Sequence, residues 1–202
     1  MNRLKFEIAA RDQGYQIIAG VDEVGRGCLA GPVVAAAVIL PFKKNFPGVN
    51  DSKQLSPQQR EILFVRILKQ AVSFGFGVVE PAEIDRMNIS RASLKAMRLA
   101  IENLNEKPDY VLVDGLQIVP LLAIPQQAVV KGDCFSLSVA AASILAKVHR
   151  DRLMGELAKE YPQYAFEIHK GYGTRTHWEA LQRFGPSPIH RLSYRGVGKE
   201  WI

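Results

Sequence analysis

A chain of 202 residues, 48% hydrophobic and 23% charged, has the balance of an ordinary folded protein and can bury about 70% of its unfolded surface, which removes any need for a disulfide or structural metal. Its two cysteines, Cys28 and Cys134, share no CxxC or Cys/His spacing, so a zinc module is excluded and free thiols in a reducing compartment are expected. The charged N-terminus has no signal-peptide core and no apolar run reaches bilayer length, which predicts a cytoplasmic protein with no membrane contact, while a formal charge of +6 suits a polyanionic partner.

In chain order, residues 17–24 and 33–40 read as two nearly all-apolar strands, punctuated between them by Gly25, Gly27, Gly31 and Pro32. Neither alternates cleanly, so the sheet they begin is expected to be covered on both faces. Ser56-Pro57 joins an N-cap to a first-turn proline and opens a helix over 57–72, with Ile62, Val65, Leu68, Ala71 and Val72 at helical spacing. A third strand follows over 74–80, then a short helix opening at Pro81 and a longer one over 90–104. Residues 110–114 form a short buried strand closed by Gly115, and 126–131 another that ends at Gly132-Asp133. A long helix then runs from Ser136 towards Lys159. Hairpin-like neighbours early and helical crossovers later predict one α/β domain over residues 1–202 with a mixed sheet.

Three of these strands end in acids: Asp22 with Glu23, then Asp114, then Asp133. A carboxylate after a buried β-branched run costs free energy unless it is solvated, paired or bound to a cation. Strand ends are also where an open α/β sheet binds ligands. Converging carboxylates repel one another and resist ionisation, and a divalent cation reverses that balance. Oxygen-only ligands favour Mg²⁺ or Mn²⁺ over zinc, and pairs of such ions serve phosphodiester hydrolysis. Taken singly, each strand-end aspartate reads as well as an Asx turn or a helix cap. Adjacent strand residues face opposite ways, so Glu23 joins Asp22 only if the strand ends there or a backbone carbonyl helps. The Gly25-Arg26-Gly27 loop that follows would let a phosphate or sugar approach the backbone.

The stretches AGVDEVGRG at 19–27, NDSKQLS at 50–56, EIDRMNI at 83–89, YVLVDG at 110–115, VVKGD at 129–133, AAASILAKVHRDR at 140–152 and HKGYGT at 169–174 come in one order, and with them the chain resembles bacterial ribonuclease HII over residues 17–194. The resemblance implies a ribonuclease H-like fold: a five-stranded mixed sheet flanked by helices, with a helical C-terminal region. It implies an endonuclease that hydrolyses the RNA strand of RNA/DNA hybrids and nicks 5′ of single ribonucleotides in duplex DNA, leaving 3′-hydroxyl and 5′-phosphate ends. Asp22, Glu23, Asp114 and Asp133 would hold two Mg²⁺ or Mn²⁺ ions with substrate bound. Gly25, Arg26 and Gly27 would surround the ribose and read its 2′-hydroxyl, the local feature that separates RNA from DNA.

By the same resemblance Tyr172 would stack on the following sugar; read without the motif, it is a buried core aromatic. Lys53, Asn88 and Lys131 would lie near the nucleic-acid backbone. Ser143 and Lys147 share one helix face that can run along the duplex, although Lys147 reads equally as the partner of Asp151. His169 is expected to be structural and not a base. The partners implied are RNA/DNA hybrid and ribonucleotide-containing duplex DNA, bound by a monomer. Three residues depart from the family's usual pattern: Cys28 stands where proline or alanine is usual, Leu116 where asparagine is frequent, and Tyr194 where phenylalanine is usual. The rival readings are the sister ribonuclease HIII, which carries an additional N-terminal domain, a catalytically silent nucleic-acid-binding module, and a small-substrate phosphatase.

Overall fold

The computed structural model describes residues 3–42, 44, 46–50 and 52–198. In chain order the elements are α1 (Lys5–Asp12), β1 (Ile18–Val24), β2 (Val33–Ile39), α2 (Pro57–Gln70), β3 (Ser73–Val79), α3 (Pro81–Met87), α4 (Ile89–Glu102), β4 (Tyr110–Asp114), β5 (Gln126–Val129), α5 (Gly132–Phe135), α6 (Leu137–Glu160), α7 (Phe166–His169) and α8 (Arg175–Phe184). The strands form one sheet in the order β3-β2-β1-β4-β5. β1, β2 and β3 make an antiparallel meander, whereas β4 and β5 join parallel on the other side of β1. This is the mixed sheet that the sequence predicts, and it places β1 at the centre.

Every residue of β2 is buried, as a strand covered on both faces requires. On one face α4 packs through Ala96, Met97 and Ala100 against Val21, Ala35 and Val113. On the other, α6 packs through Ala141, Ile144 and Leu145 against Ala36, Val38 and the α2 residues Phe64 and Ile67. Both helices lie close because glycines leave room for their backbones. A Cβ on Gly20 would sit 2.3 Å from the carbonyl carbon of Ser138 and from the amide of Val139. One on Gly77 would sit 2.0 Å from the Ala96 carbonyl oxygen.

Capping fixes where the helices begin. Ser56 and Gln59 form a reciprocal capping box on α2. Ser136 caps α6 through the Val139 amide at 3.2 Å. Glu7 of α1 joins that cap: its buried carboxylate accepts from the hydroxyls of Ser136 and Ser138, each at 2.7 Å, and from the Ser138 amide at 3.0 Å.

Three expectations are corrected. The last strand stops at Val129, because Lys131 takes a left-handed conformation (φ 55°) and the chain turns into α5. Asp133 therefore stands at the start of a short helix and not at a strand end. The core face of α2 is Leu63, Phe64 and Ile67, while Ile62, Val65 and Val72 are exposed. Helix α1 is an addition to the predicted elements, while α7 and α8 make up the helical C-terminal region that the resemblance implied.

Gly20→Ala should lower the stability of the fold by about 1–3 kcal/mol, the usual cost of overpacking a filled interface. The urea-unfolding midpoint measures this, and an unchanged midpoint would mean that α6 can lift from the sheet without loss.

Candidate active site

The parallel register that sets Val21 beside Val113 puts Asp22 and Asp114 side by side on adjacent strands. Asp22 is only 7% exposed, its carboxyl lying close to the Ser143 hydroxyl on α6 and to Asp114. Ser143 in turn shares a hydrogen bond of 2.9 Å with Ser52. Asp114 accepts from the Gly132 amide at 2.6 Å, which ties the end of β4 to the turn before Asp133. Glu23 faces the α4 side, where it borders a recess lined by Ser90, Ser93, Met97 and Leu116. It also reaches the Asp22 cleft, since β1 ends one residue later and Gly25 turns at φ 97°.

Burial raises the carboxyl of Asp22 well above the usual range, and the charges of Asp114 and Glu23 add to that rise. Burial likewise raises Glu23, against the opposing pull of Arg26. Asp114 is raised by burial and, less strongly, by Asp133. Two basic side chains face the cluster. Arg26 pairs with Glu23 at 3.0 Å, and Lys53 lies 3.5 Å from Asp133. Among the described residues no three His, Cys, Asp or Glu side chains gather closely enough to hold an ion as they stand. The donor set still fits a hard divalent cation, being all-oxygen, buried and self-repelling. Glu23 and Asp133 would have to turn inward from Arg26 and Lys53 to complete it.

The cleft brings Asp22, Glu23 and Asp114 together with Gly25, Arg26, Gly27, Lys53, Ser143, Lys147 and Tyr172. Tyr172 is 41% exposed, so it is not a core aromatic. Lys147 answers both readings: it pairs with Asp151 at 2.8 Å and sets its ammonium 5.9 Å from the centre of the Tyr172 ring. Asn88 and Lys131 do not line this cleft. Asn88 caps α4, accepting from the Arg91 amide at 3.1 Å, and Lys131 occupies the turn into α5.

The sequence reading missed what stands behind the loops. Arg150 is fully buried and, among the described residues, pairs with no carboxylate. It donates to the carbonyls of Pro32 at 2.9 Å, Lys170 at 2.8 Å and Ala30 at 3.1 Å, joining the glycine loop to the loop that carries Tyr172. A histidine chain supports Tyr172 from the other side. The Ser187 amide donates to Nδ1 of His190, so the proton of that ring lies on Nε2, 3.0 Å from Nε2 of His177. His177 then donates from Nδ1 to the Tyr172 carbonyl at 2.9 Å. Burial pushes both rings down to about 4, which keeps them neutral. His169 is structural as expected, bonding the Tyr164 carbonyl at 2.7 Å.

Residues 19–197 match the family model described as Ribonuclease HII. A Ribonuclease HII of Geobacter sulfurreducens is 56% identical over 192 residues, covering 95% of this chain and 88% of that one. Among solved structures, the ribonuclease H2 from Pyrococcus horikoshii OT3 superposes with a TM-score of 0.77 at 30% identity, covering 89% of this chain and 94% of that chain. The RNase HII in a complex with PCNA from Archaeoglobus fulgidus gives 0.76 at 27% identity, covering 91% and 98%. A mixed five-stranded sheet with acids at its central strand ends and helices on both faces thus defines a hydrolytic endoribonuclease of the ribonuclease H type. Within that type the chain belongs to the ribonuclease HII family. The silent-module and phosphatase readings are set aside by this assignment.

Two outcomes follow from the electrostatics. A raised carboxyl favours the folded state at low pH, and that contribution is lost as the pH rises through its folded value. Asp22→Asn removes the loss, so the metal-free variant should melt higher than the native chain at pH 7, by about 2–4 °C per kcal/mol relieved, and the gain should vanish in acid. Equal melting temperatures at pH 7 would mean that Asp22 carries no desolvation cost. The two neutral rings carry the opposite sign: their contribution is complete above about 6.5 and is lost as the pH falls towards 4. In an NMR titration the His177 and His190 resonances should hold still through pH 6.5, and a midpoint there would refute the buried relay.

Proposed function

We propose that this enzyme hydrolyses the RNA strand of RNA/DNA hybrids and also nicks duplex DNA on the 5′ side of a single embedded ribonucleotide, leaving 3′-hydroxyl and 5′-phosphate ends. The observation that carries this reading is one cleft in which the Asp22–Asp114 pair, the Gly25–Gly27 loop and Tyr172 meet. Asp22, Glu23, Asp114 and Asp133 would hold two Mg²⁺ or Mn²⁺ ions with substrate bound, and such ions would supply the activation of water and the stabilisation of a phosphodiester's departing oxygen.

The remaining work falls to the chain itself. The glycine loop begins three residues after Asp22, so a ribose seated on it brings an adjoining phosphate to the acids. Gly27 has no atom within 4 Å of where a Cβ would stand, which leaves its backbone open to a sugar. The 2′-hydroxyl is recognised there by backbone groups. Tyr172 stacks on the next sugar and senses the RNA–DNA junction. Lys53 and Lys147 lie at the cleft and neutralise phosphates, while Asn88 and Lys131 contribute at a distance by shaping the turns into α4 and α5. The chain acts as a monomer.

A DNA duplex containing one ribonucleotide, incubated with Mg²⁺, Mn²⁺ or EDTA and mapped to the nucleotide, tests this function. A metal-dependent nick 5′ of the ribonucleotide is expected. Asp22→Asn should lower the rate by about a thousand-fold or more, since the ligand supports several kcal/mol of transition-state stabilisation, while duplex binding persists. A variant that still cuts would remove Asp22 from the assigned set. Cleavage of continuous hybrid without the single-ribonucleotide nick would overturn the junction-sensing role of Tyr172.

A further inference from the structure

Beneath the glycine loop lies a second buried arginine whose bonding no part of the reaction yet uses. Arg191 has no solvent exposure. Its Nε and Nη2 donate to the Gly31 carbonyl at 3.0 and 2.8 Å, and its Nη1 donates to the Arg26 carbonyl at 2.9 Å. The same Nη1 donates to the phenolic oxygen of Tyr194 at 2.9 Å, and that phenol donates in turn to the Arg26 carbonyl at 2.5 Å. One carbonyl of the loop is therefore held twice, by a guanidinium and by a hydroxyl that the same guanidinium polarises. Charge-assisted chains of this kind are stronger than neutral hydrogen bonds.

We infer that Tyr194 is a specificity-determining positioning residue: with Arg191 it fixes the Arg26–Gly27 peptide so that the Gly27 amide is presented to the ribose. This rests on the reading that the loop surrounds the sugar. The physical step is short. In a planar trans peptide the carbonyl and the next amide point in opposite directions. Anchoring the Arg26 carbonyl on Arg191 and Tyr194, on the protein side, turns the Gly27 amide away from the interior, and Gly27 is exposed in the cleft that holds the acids. A peptide flip would reverse the donor and acceptor offered to a 2′-hydroxyl. Glycine on both sides of Arg26 makes such a flip sterically easy, so the loop needs an outside hold.

The Tyr194 hydroxyl is well placed to supply that hold without other duties. Its ring is partly buried and packs against both the α4 core and the C-terminal core, and its amide donates to the Arg191 carbonyl at 3.0 Å. Phenylalanine at this position would keep the ring and lose both phenol hydrogen bonds, so the hold that Tyr194 adds to the loop is carried by one oxygen atom.

The test uses the full-length chain and Tyr194→Phe, with affinity read by fluorescence anisotropy in EDTA. Two duplexes are compared, one carrying a single ribonucleotide and one the matching deoxyribonucleotide. The native chain should bind the first more tightly. In Tyr194→Phe that preference should shrink about five-fold, the loss of roughly one hydrogen bond's net worth, with affinity for the all-DNA duplex unchanged. An undiminished preference overturns the inference. Equal losses on both duplexes overturn it too, because they mark the hydroxyl as general support for the fold. A native chain with no preference at all would refute the ribose-reading loop itself, and the role of Tyr194 would fall with it.

Discussion

The pairing of β1 with β4 sets two carboxylates beside each other where neither is well solvated. Much of the molecule can be understood as what is needed to hold them there. Two strands are locked in register by β-branched residues packed on both faces, and two helices lie close over glycines that admit no side chain. An arrangement that forces like charges together is unfavourable in the empty protein, and packing elsewhere offsets it. A divalent cation bound between them, as proposed, would convert the same repulsion into affinity.

Positive charge surrounds that site in two layers. The outer layer, Arg26 and Lys53, touches the acids Glu23 and Asp133 from solvent-facing positions. The inner layer, Arg150 and Arg191, is fully buried and bonds backbone carbonyls. Burying a guanidinium without a carboxylate is costly, and here every bond that offsets the cost, apart from the one to the Tyr194 phenol, goes to carbonyls of the loops around the cleft. The inner arginines thus shape backbone, while the outer cations remain available to exchange acid partners for phosphate.

The strands and the long helices were legible from the sequence because their signals are local: apolar runs bounded by glycine, a Ser-Pro start, a buried five-residue strand. The cleft residues were legible through motif order. What escaped depended on contacts distant in the chain. Helix α7 owes its place to a core shared with Leu29 and Met154 and is too short, at four residues, for periodicity to announce it, whereas α8, amphipathic and capped by Thr174, falls in the helical C-terminal region that the resemblance implied. Arg150 lies in a helical stretch rich in basic residues, where an arginine ordinarily reads as solvated. Asp133 looked like a strand end because the left-handed turn at Lys131 leaves no mark in composition. The burial of Leu63 in place of Ile62 turned on helix rotation, which apolar spacing alone did not decide.

The cap that Glu7 provides for α6 bears on how the molecule assembles. The residues it joins are 129 and 131 positions apart in the chain. Contacts of such high sequence separation form only after the loop-closure entropy has been met, so they belong to the slow part of folding. During synthesis α1 emerges first and must wait for most of the chain before its carboxylate finds Ser136 and Ser138. The first turn of α6 leads on to Ser143, so the ordering of the acidic cleft is coupled to the joining of the chain's early and late portions.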